Sequence, residues 1–487
     1  MKLSPKNVAK FVLRWGIAIV GIWYVLSNLA WYNYVLVADA KTGLPDKLRL
    51  VTPAQDGDAT FSVYQRGDDH AWHPHTVDRS RLIARPDYDR VTLRDPATET
   101  TREMQVLGRR VVPNEPFAHW PLVVIPPRGL WDRYWNNYAP GTSAELVDAS
   151  TVIEPTKPAG LQYPLIEEGL QVRVSKANPW ILLLAMAVYP VIYGLTTWRW
   201  WLLMRIVDVR MPLSRAFAIN MVGSFYNSFL LGSTGGDVIK AVYAARNSNH
   251  RTRAVISVMV DRVIGLYGLI VLGGTIAGAM WLSTRNVHEY HAVADKCRQV
   301  FFGSALILVC TVIAMAIYYV PTLRKLFLVD WVLSKLPMQH HVQSVRDTAD
   351  LYGKHLWLTL ATVAISLPVH GIVVLSVSLS CIAFGLPLTW WYYWVVVPIT
   401  VLSGAIPISP QGAGVMEFFA LILMRSQGAT MTDVVTLTVS IRIIGILWNL
   451  TGGVYVMKGG FGKPVDAQHE LEEDMEHDAP APNTSPA

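Results

Sequence analysis

Six apolar segments are long enough to cross the hydrocarbon core of a membrane, and they limit the fold more than any other feature of the chain. They lie at about 11–37, 180–203, 254–282, 301–320, 356–384 and 434–457. A transmembrane helix needs roughly 20 mostly apolar residues to cross ~30 Å of hydrocarbon. With 52% of all residues hydrophobic, the sequence predicts a polytopic α-helical membrane protein.

The distribution of lysine and arginine predicts how the chain is oriented. Lys2, Lys6 and Lys10 precede the first apolar segment, which is too long for a signal peptide and lacks a small-residue cleavage site. Positive residues favour the cytoplasmic side of a membrane. The basic loops between the later segments give a consistent topology, with both termini in the cytoplasm. We therefore expect a multi-pass protein of the cytoplasmic (inner) membrane.

A polar, proline-rich insert separates the first two apolar segments. Short alternating or β-branched pieces recur in it, at 61–64, 90–93, 121–125 and 170–174, between Gly, Pro and Asp turn signals. Such pieces are typical of strands, and the helix before the insert runs outward. We therefore predict a β-rich extracytoplasmic domain. Its three close histidines fit a polar loop better than a metal site, because no further ligand cluster accompanies them.

The chain thus divides into four predicted parts. Residues 1–37 form the cytoplasmic N-terminus and first transmembrane helix, 38–178 the β-rich insert, 179–458 the main transmembrane domain and 459–487 an acidic tail. The tail has little to bury, so we expect it to be disordered and cytoplasmic. The three cysteines all lie outside the insert and have neither disulfide nor redox-motif spacing.

Two glycine-rich breaks interrupt the transmembrane domain, one at about 227–240 and one at about 407–417. An acid follows each break, and an arginine follows each acid after 25 positions: Asp237 with Arg262, and Glu417 with Arg442. Irregular backbone is tolerated at membrane depth only where it is buried in protein or lines a wet cavity. The pattern predicts two re-entrant helical hairpins that enter from opposite sides, as an inverted repeat.

The two breaks also suggest a binding site for an anion. Free backbone N–H groups and the positive end of a half-helix favour a phosphate, and arginine can bind it with two parallel hydrogen bonds. The predicted substrate-binding residues are Asn227, Ser233, Thr234, Gly235, Gly236, Asp237, Lys240 and Arg262 in the first unit, and Gln411, Gly412, Gly414, Glu417 and Arg442 in the second.

A purely structural interpretation of the same charges stays open beside this one. Arg262 can pair with Asp261 or Asp237, and Arg442 with Glu417, as buried ion pairs that hold the hairpins in place. Charged groups at membrane depth are costly and usually functional, but a partner removes much of that cost. The two interpretations are compatible.

The residues of the two breaks carry a resemblance. The 227–240 segment with Asp261-Arg262, and the 410–417 segment with Arg442 and Gly452-Gly453, are similar to the two motif regions of the lysylphosphatidylglycerol synthase transmembrane family. This family forms the flippase-like half of the bacterial multiple-peptide-resistance factor. The likeness covers roughly 180–457. The chain departs from the pattern at Leu231, where proline is common, and at Lys240, where arginine is common.

The resemblance implies a flippase-like transmembrane domain that handles lipid. It does not imply lysyl transfer, because the sequence holds no aminoacyl-transfer domain. The first hypothesis is a translocator for a phospholipid or polyprenyl-phosphate lipid, with no cofactor. The alternatives are a membrane enzyme or accessory subunit acting on lipid-linked substrates, and a membrane-anchored envelope scaffold.

Two further observations bear on these hypotheses. No Ser/His/Asp set, metal cluster or nucleotide loop is found, so an enzyme is not favoured. The net charge of +6 is explained by loops beside the membrane, which argues against nucleic acid as a partner. A homo-oligomer and an envelope partner for the insert stay open.

Overall fold

The computed structural model describes Trp23 and residues 29–55, 57–67, 70–84, 90–94, 101–127, 138–154, 165–228, 235–248, 250–287, 291–329, 335, 339–405 and 412–458. Most of the first predicted transmembrane helix and the whole acidic tail lie outside these ranges.

The described β-rich part contains eleven strands, and the first begins at Tyr34, within the segment predicted as the end of the first transmembrane helix, because it pairs with the strand that follows. They are β1 Tyr34–Ala38, β2 Pro45–Arg49, β3 Thr60–Arg66, β4 Trp72–Asp78, β5 Ile83–Ala84, β6 Arg90–Arg94, β7 Thr101–Arg110, β8 Leu122–Ile125, β9 Glu145–Val147, β10 Val152–Glu154 and β11 Ile166–Glu167. One sheet has the order β11-β1-β2, a second the order β10-β6-β7-β8-β9 with β5 on β7, and β3 and β4 form a hairpin. The named pairs are antiparallel. Alternation explains β3, where Phe61 and Val63 are fully buried and their neighbours are not.

One predicted strand is wrong. Residues Leu170–Lys176 form a helix, α1, although Leu170, Val172 and Val174 alternate. Tertiary contacts override this local pattern: Arg173 is buried, and its Nη2 lies 2.7 Å from Oδ1 of the buried Asp433. Its Nη1 also donates to the carbonyl oxygen of Gly385 at 3.1 Å. This helix therefore fastens the insert to the transmembrane part.

The described transmembrane part consists of helices. After α1 come α2 Pro179–Val188, α3 Val191–Ile206, α4 Leu213–Asn227, α5 Gly235–Arg246, α6 Arg251–Thr284, α7 His291–Tyr319, α8 Pro321–Leu326, α9 Gln339–Lys354, α10 Leu356–Ala383, α11 Tyr393–Gly404, α12 Val415–Met424, α13 Met431–Leu450 and α14 Gly453–Met457.

Five helical segments of the described chain are long and apolar enough to cross a membrane. They are Pro179–Ile206, Arg251–Thr284, Val293–Tyr319, Leu356–Ala383 and Met431–Met457. Each corresponds to one of the six predicted segments. The sixth, at 11–37, falls outside the described residues apart from Trp23 and its last nine positions, so six spans remain a prediction.

Helices α4 and α5 form the first hairpin. At its open end, Arg215 Nε donates to Asn247 Oδ1 at 3.1 Å. At its tip, the backbone N–H of Gly236 donates to Asn227 Oδ1 at 2.8 Å. The two helices are therefore antiparallel. With 15 and 12 residues, at 1.5 Å per residue they reach only about 22 and 18 Å, too short to span a membrane.

Helices α11 and α12 form the second hairpin. At its open end the Tyr392 hydroxyl, just before α11, donates to the carbonyl oxygen of Leu423 at 2.9 Å. At its tip Gly412 lies against Gly404, and a Cβ on Gly412 would lie 2.5 Å from the Gly404 Cα. These helices have 12 and 10 residues, so they are also too short to span.

The open ends of the two hairpins lie near opposite ends of α10. The first hairpin packs in a hydrophobic cluster with Leu203, Met211 and Tyr352. Tyr352 lies shortly before the start of α10. The second packs in a cluster with Cys381 and Leu388, at the end of α10 and just beyond it. The hairpin tips therefore point towards each other within the helical bundle.

Candidate functional site: a charged cavity between the hairpin tips

A cavity of about 430 Å³ lies where the two tips meet. The first hairpin and the helix after it contribute Asn227, Asp237, Lys240, Asp261 and Arg262; the second hairpin and the helix after it contribute Gly404, Met416, Arg442 and Asn449. The volume is in the range of sites for small ligands. The sequence-predicted charges of both units thus converge on one space.

Close backbone contact builds the first tip. A Cβ on Gly236 would lie 2.0 Å from the carbonyl oxygen of Gly223, so only glycine fits here without a shift of the helices. The Asn227 side-chain oxygen accepts a hydrogen bond from the Gly236 N–H. The prediction that this N–H is free for an anion is therefore wrong, since the other arm of the hairpin already satisfies it.

The second tip depends on backbone that favours glycine. Gly412 has φ +69° and Gly414 has φ +83°, in the left-handed region where a side chain is disfavoured. The Gly414 N–H donates to Glu417 Oε2 at 2.7 Å. A free N–H at Gly414 is thus also excluded, because the acid of the motif caps its own helix.

Arg442 forms a two-point ion pair with Glu417. Its Nη1 lies 2.5 Å from Oε1 and its Nη2 lies 3.3 Å from Oε2, and Nη2 also contacts Met416 Sδ at 3.6 Å. The side chains are 19% and 5% exposed. The structural interpretation of this pair is confirmed, and both outer nitrogens of the guanidinium donate to Glu417.

Arg262 pairs with Asp237, and the pair is looser. Arg262 Nη1 lies 3.4 Å from Asp237 Oδ2, with the side chains 34% and 27% exposed. The distance is within the range of an ion pair but long for a charge-assisted hydrogen bond. Of the two predicted partners, Asp237 is thus the correct one. Arg262 lines the cavity, and Asp237 is the partner recorded for its guanidinium among the described residues.

Lys240 is not free to bind a ligand. Its side chain is only 5% exposed, and Nζ lies 3.1 Å from Asp261 Oδ2 and 4.1 Å from the centroid of the Trp200 ring. Asp261 also accepts a hydrogen bond from Arg199 Nε at 2.8 Å. The prediction that Lys240 binds substrate directly is therefore not supported; its charge balances Asp261 instead.

Arg199 and His370 are cavity residues that the sequence analysis missed. Arg199 stands in a run of tryptophans near a basic loop, a pattern typical of the membrane surface, yet it is buried and also donates to Ser366 Oγ at 2.8 Å. His370 lies inside an apolar span, and its Nε2 is 2.8 Å from the carbonyl oxygen of Gly265. An ionisable residue within such a span was the available signal.

The remaining predicted residues fall into two groups. Gly235 begins α5, so it lies at the tip as expected. Ser233, Thr234 and Gln411 lie outside the described residues.

A further part of the cavity wall is polar but uncharged. There the Tyr193 hydroxyl donates to Asn449 Oδ1 at 2.7 Å.

The charges around the cavity nearly balance. Its described walls hold four cationic side chains, those of Arg199, Lys240, Arg262 and Arg442, and the carboxylates of Asp237 and Asp261. Glu417 forms an ion pair with Arg442 and is counted with them. With all groups ionised, one positive charge is left over, which suits a singly charged anion.

Comparison with known proteins identifies the family of this region. A family model described as Lysylphosphatidylglycerol synthase TM region matches residues 168–453, and a search of curated proteins finds no match. The matched region contains both hairpins, the cavity and all the ion pairs around it. Since it covers more than half of the 487 residues, the chain belongs to the lysylphosphatidylglycerol synthase TM region family.

Proposed function

We propose that the protein translocates a phosphate-bearing lipid across the cytoplasmic membrane, with the lipid headgroup passing through the cavity between the hairpin tips. The observation that carries the proposal is Arg262, a half-buried arginine that lines this cavity and has one long ion contact among the described residues. A guanidinium has five N–H donors in a planar fork that matches a phosphate. Among the described residues Asp237 is the partner recorded for these donors, and its long contact can be exchanged for a phosphate.

The two hairpins supply a route for the headgroup. Two pairs of short antiparallel helices meet at their tips from opposite ends of the bundle, which supports two re-entrant hairpins related as an inverted repeat. In transporters of this kind the substrate site lies near the midplane of the bilayer. A charged headgroup would therefore meet a polar cavity at the depth where hydrocarbon opposes it most.

The two arginines have different roles in this proposal. The sequence predicts that both Arg262 and Arg442 bind the headgroup, but both outer nitrogens of Arg442 donate to Glu417. Arg442 thus orders the second tip and adds to the local potential. Arg262 is the residue that binds the phosphate.

Translocation in liposomes tests the proposal. The purified protein would be reconstituted with fluorescent phosphatidylglycerol, phosphatidylcholine or a polyprenyl phosphate, and the lipid reaching the opposite leaflet would be measured by chemical quenching. We expect faster movement of an anionic lipid than in protein-free liposomes, with phosphatidylcholine less affected. Rates equal to those of protein-free liposomes for every lipid would refute a translocator.

The proposed orientation places the insert outside the cell and both termini inside. Cysteines would be introduced separately at Lys41 in the insert and at Lys335, both exposed, in a variant lacking the exposed Cys310. An impermeant thiol reagent added to intact cells should label the first and spare the second. Labelling of the Lys335 position alone would show that the orientation is the reverse of the proposed one.

A further inference from the structure

Asp237 is the carboxylate of the cavity whose charge is least well compensated. Its Oδ2 is shielded from solvent and accepts no hydrogen bond from the residues that the structure describes. The contact that compensates this oxygen is Arg262 Nη1 at 3.4 Å. In contrast, both Glu417 oxygens accept hydrogen bonds. If Arg262 left Asp237, this shielded carboxylate oxygen would remain without a cation in contact with it.

The other charged groups around Asp237 are already engaged. Lys240, on the same helix, is 3.1 Å from Asp261, and Asp261 on the neighbouring α6 is also bound to Arg199. The packed helix α4 presents Asn227 at this tip, and an amide does not titrate. Four further cavity groups belong to other elements. Arg442 is paired with Glu417, and His370 contacts a backbone oxygen. The Tyr193 hydroxyl donates to Asn449, and Tyr189 also lines the cavity.

A phosphate and Asp237 therefore compete for Arg262. Both are anions, and the phosphate can take two parallel N–H bonds from the guanidinium fork. Asp237 lies in the first turn of α5, where the helix dipole and the contact with Arg262 both favour the ionised carboxylate, and only the dipole remains once the arginine leaves. Without it, a shielded carboxylate binds a proton rather than remain charged.

Resting on the function proposed above, we propose that Asp237 is a proton site coupled to headgroup binding. When the phosphate of the lipid displaces Asp237 from Arg262, Asp237 Oδ2 takes one proton from the aqueous phase and becomes a neutral carboxylic acid. An O–H bond forms, and no bond of the lipid breaks. When the headgroup leaves, Arg262 returns and the proton is released. The anion and the proton thus enter together, and the charge of the cavity is unchanged.

Proton uptake on binding tests this coupling. A short-chain, soluble phosphatidylglycerol would be added to the purified protein in weakly buffered detergent with a pH-sensitive dye, with binding followed in parallel by calorimetry. The expected uptake approaches one proton per bound lipid, as for a single carboxyl group, and the affinity rises by up to ~10-fold for each unit by which the pH is lowered.

Two variants make the result specific. Asp237→Asn imitates the neutral acid, so it should bind the lipid without proton uptake and with little pH dependence. His370→Gln removes the histidine of the cavity wall and should keep the uptake per bound lipid. If Asp237→Asn does not fold, Asp237→Glu replaces it and should retain the uptake with a shifted pH midpoint.

The outcomes separate this inference from the proposed function. Translocation by the wild-type protein without proton uptake, or full uptake in Asp237→Asn, would overturn the coupling and leave the translocator intact. A wild-type protein that neither binds nor translocates anionic lipid would overturn both.

Discussion

In the second hairpin, Glu417 accepts hydrogen bonds from both outer nitrogens of Arg442 and from the backbone of its own helix. In the first, Asp237 Oδ2 has a single 3.4 Å contact with Arg262 among the described residues. Both acids stand 25 positions before their arginine. Equal spacing thus produces the same pairing, but the local donors decide how firmly each pair is held. We interpret the tight pair as a structural element and the loose pair as the one that opens for a ligand.

The largest effect should follow from breaking the tight pair. Arg442→Gln leaves the buried Glu417 without its cation, and loss of one member of such a pair costs ~3–5 kcal/mol of unfolding free energy. We expect the lower end of this range, since Arg442 is partly exposed. Denaturation in detergent would measure it, and the double variant with Glu417→Gln should regain part of the loss. A cost below ~1 kcal/mol would remove the distinction between the two hairpins.

A smaller effect is expected at the first tip. In Gly236→Ala the new methyl group would lie 2.0 Å from the Gly223 carbonyl oxygen, and overpacking of this kind costs ~1–3 kcal/mol. Gly194→Ala is the matched control, because a Cβ there meets nothing within 4 Å. Unfolding temperatures of the two variants should differ clearly. Equal temperatures would indicate that the helices separate easily and that the tip is not a rigid contact.

The smallest change in stability is expected for the loose pair. Arg262→Gln removes one long contact between partly exposed side chains, and such pairs contribute roughly 0–1 kcal/mol. The same denaturation measurement applies, with wild type and Arg442→Gln as references. A loss as large as that of Arg442→Gln would show that both pairs are structural.

The sequence predicted the membrane class, five of the spans found here and the convergence of Arg262 and Arg442 with their acids. These features are local: they depend on apolar length or on spacing along neighbouring helices. Arg199 was missed because its interaction with Asp261 joins helices 62 positions apart, and neighbouring tryptophans suggested a surface position. Alternation predicts a strand at 170–174 instead of the observed helix for a similar reason, since Arg173 contacts Asp433 only in the folded protein.

Whether a backbone N–H group at a tip is already hydrogen-bonded could not be predicted from the sequence either. The glycines at 412 and 414 do adopt irregular backbone, but side-chain acceptors occupy the N–H groups of Gly236 and Gly414. A glycine-rich pattern shows where the backbone can approach a ligand. It does not show whether a side-chain amide or carboxylate of the protein already accepts the hydrogen bond from that backbone.

The central claim is that Arg262 binds the phosphate while Arg442 supports the fold, and charge-preserving variants test it most directly. Arg262→Lys and Arg442→Lys would be compared in the liposome assay with an anionic phospholipid, per amount of folded protein. Lysine keeps the charge but loses the planar fork. We predict that Arg262→Lys lowers the translocation rate at least ~10-fold, the loss of about 1.4 kcal/mol of binding, at an almost unchanged unfolding temperature. Arg442→Lys should lower the unfolding temperature and leave most of the rate. Full translocation by Arg262→Lys would contradict the account.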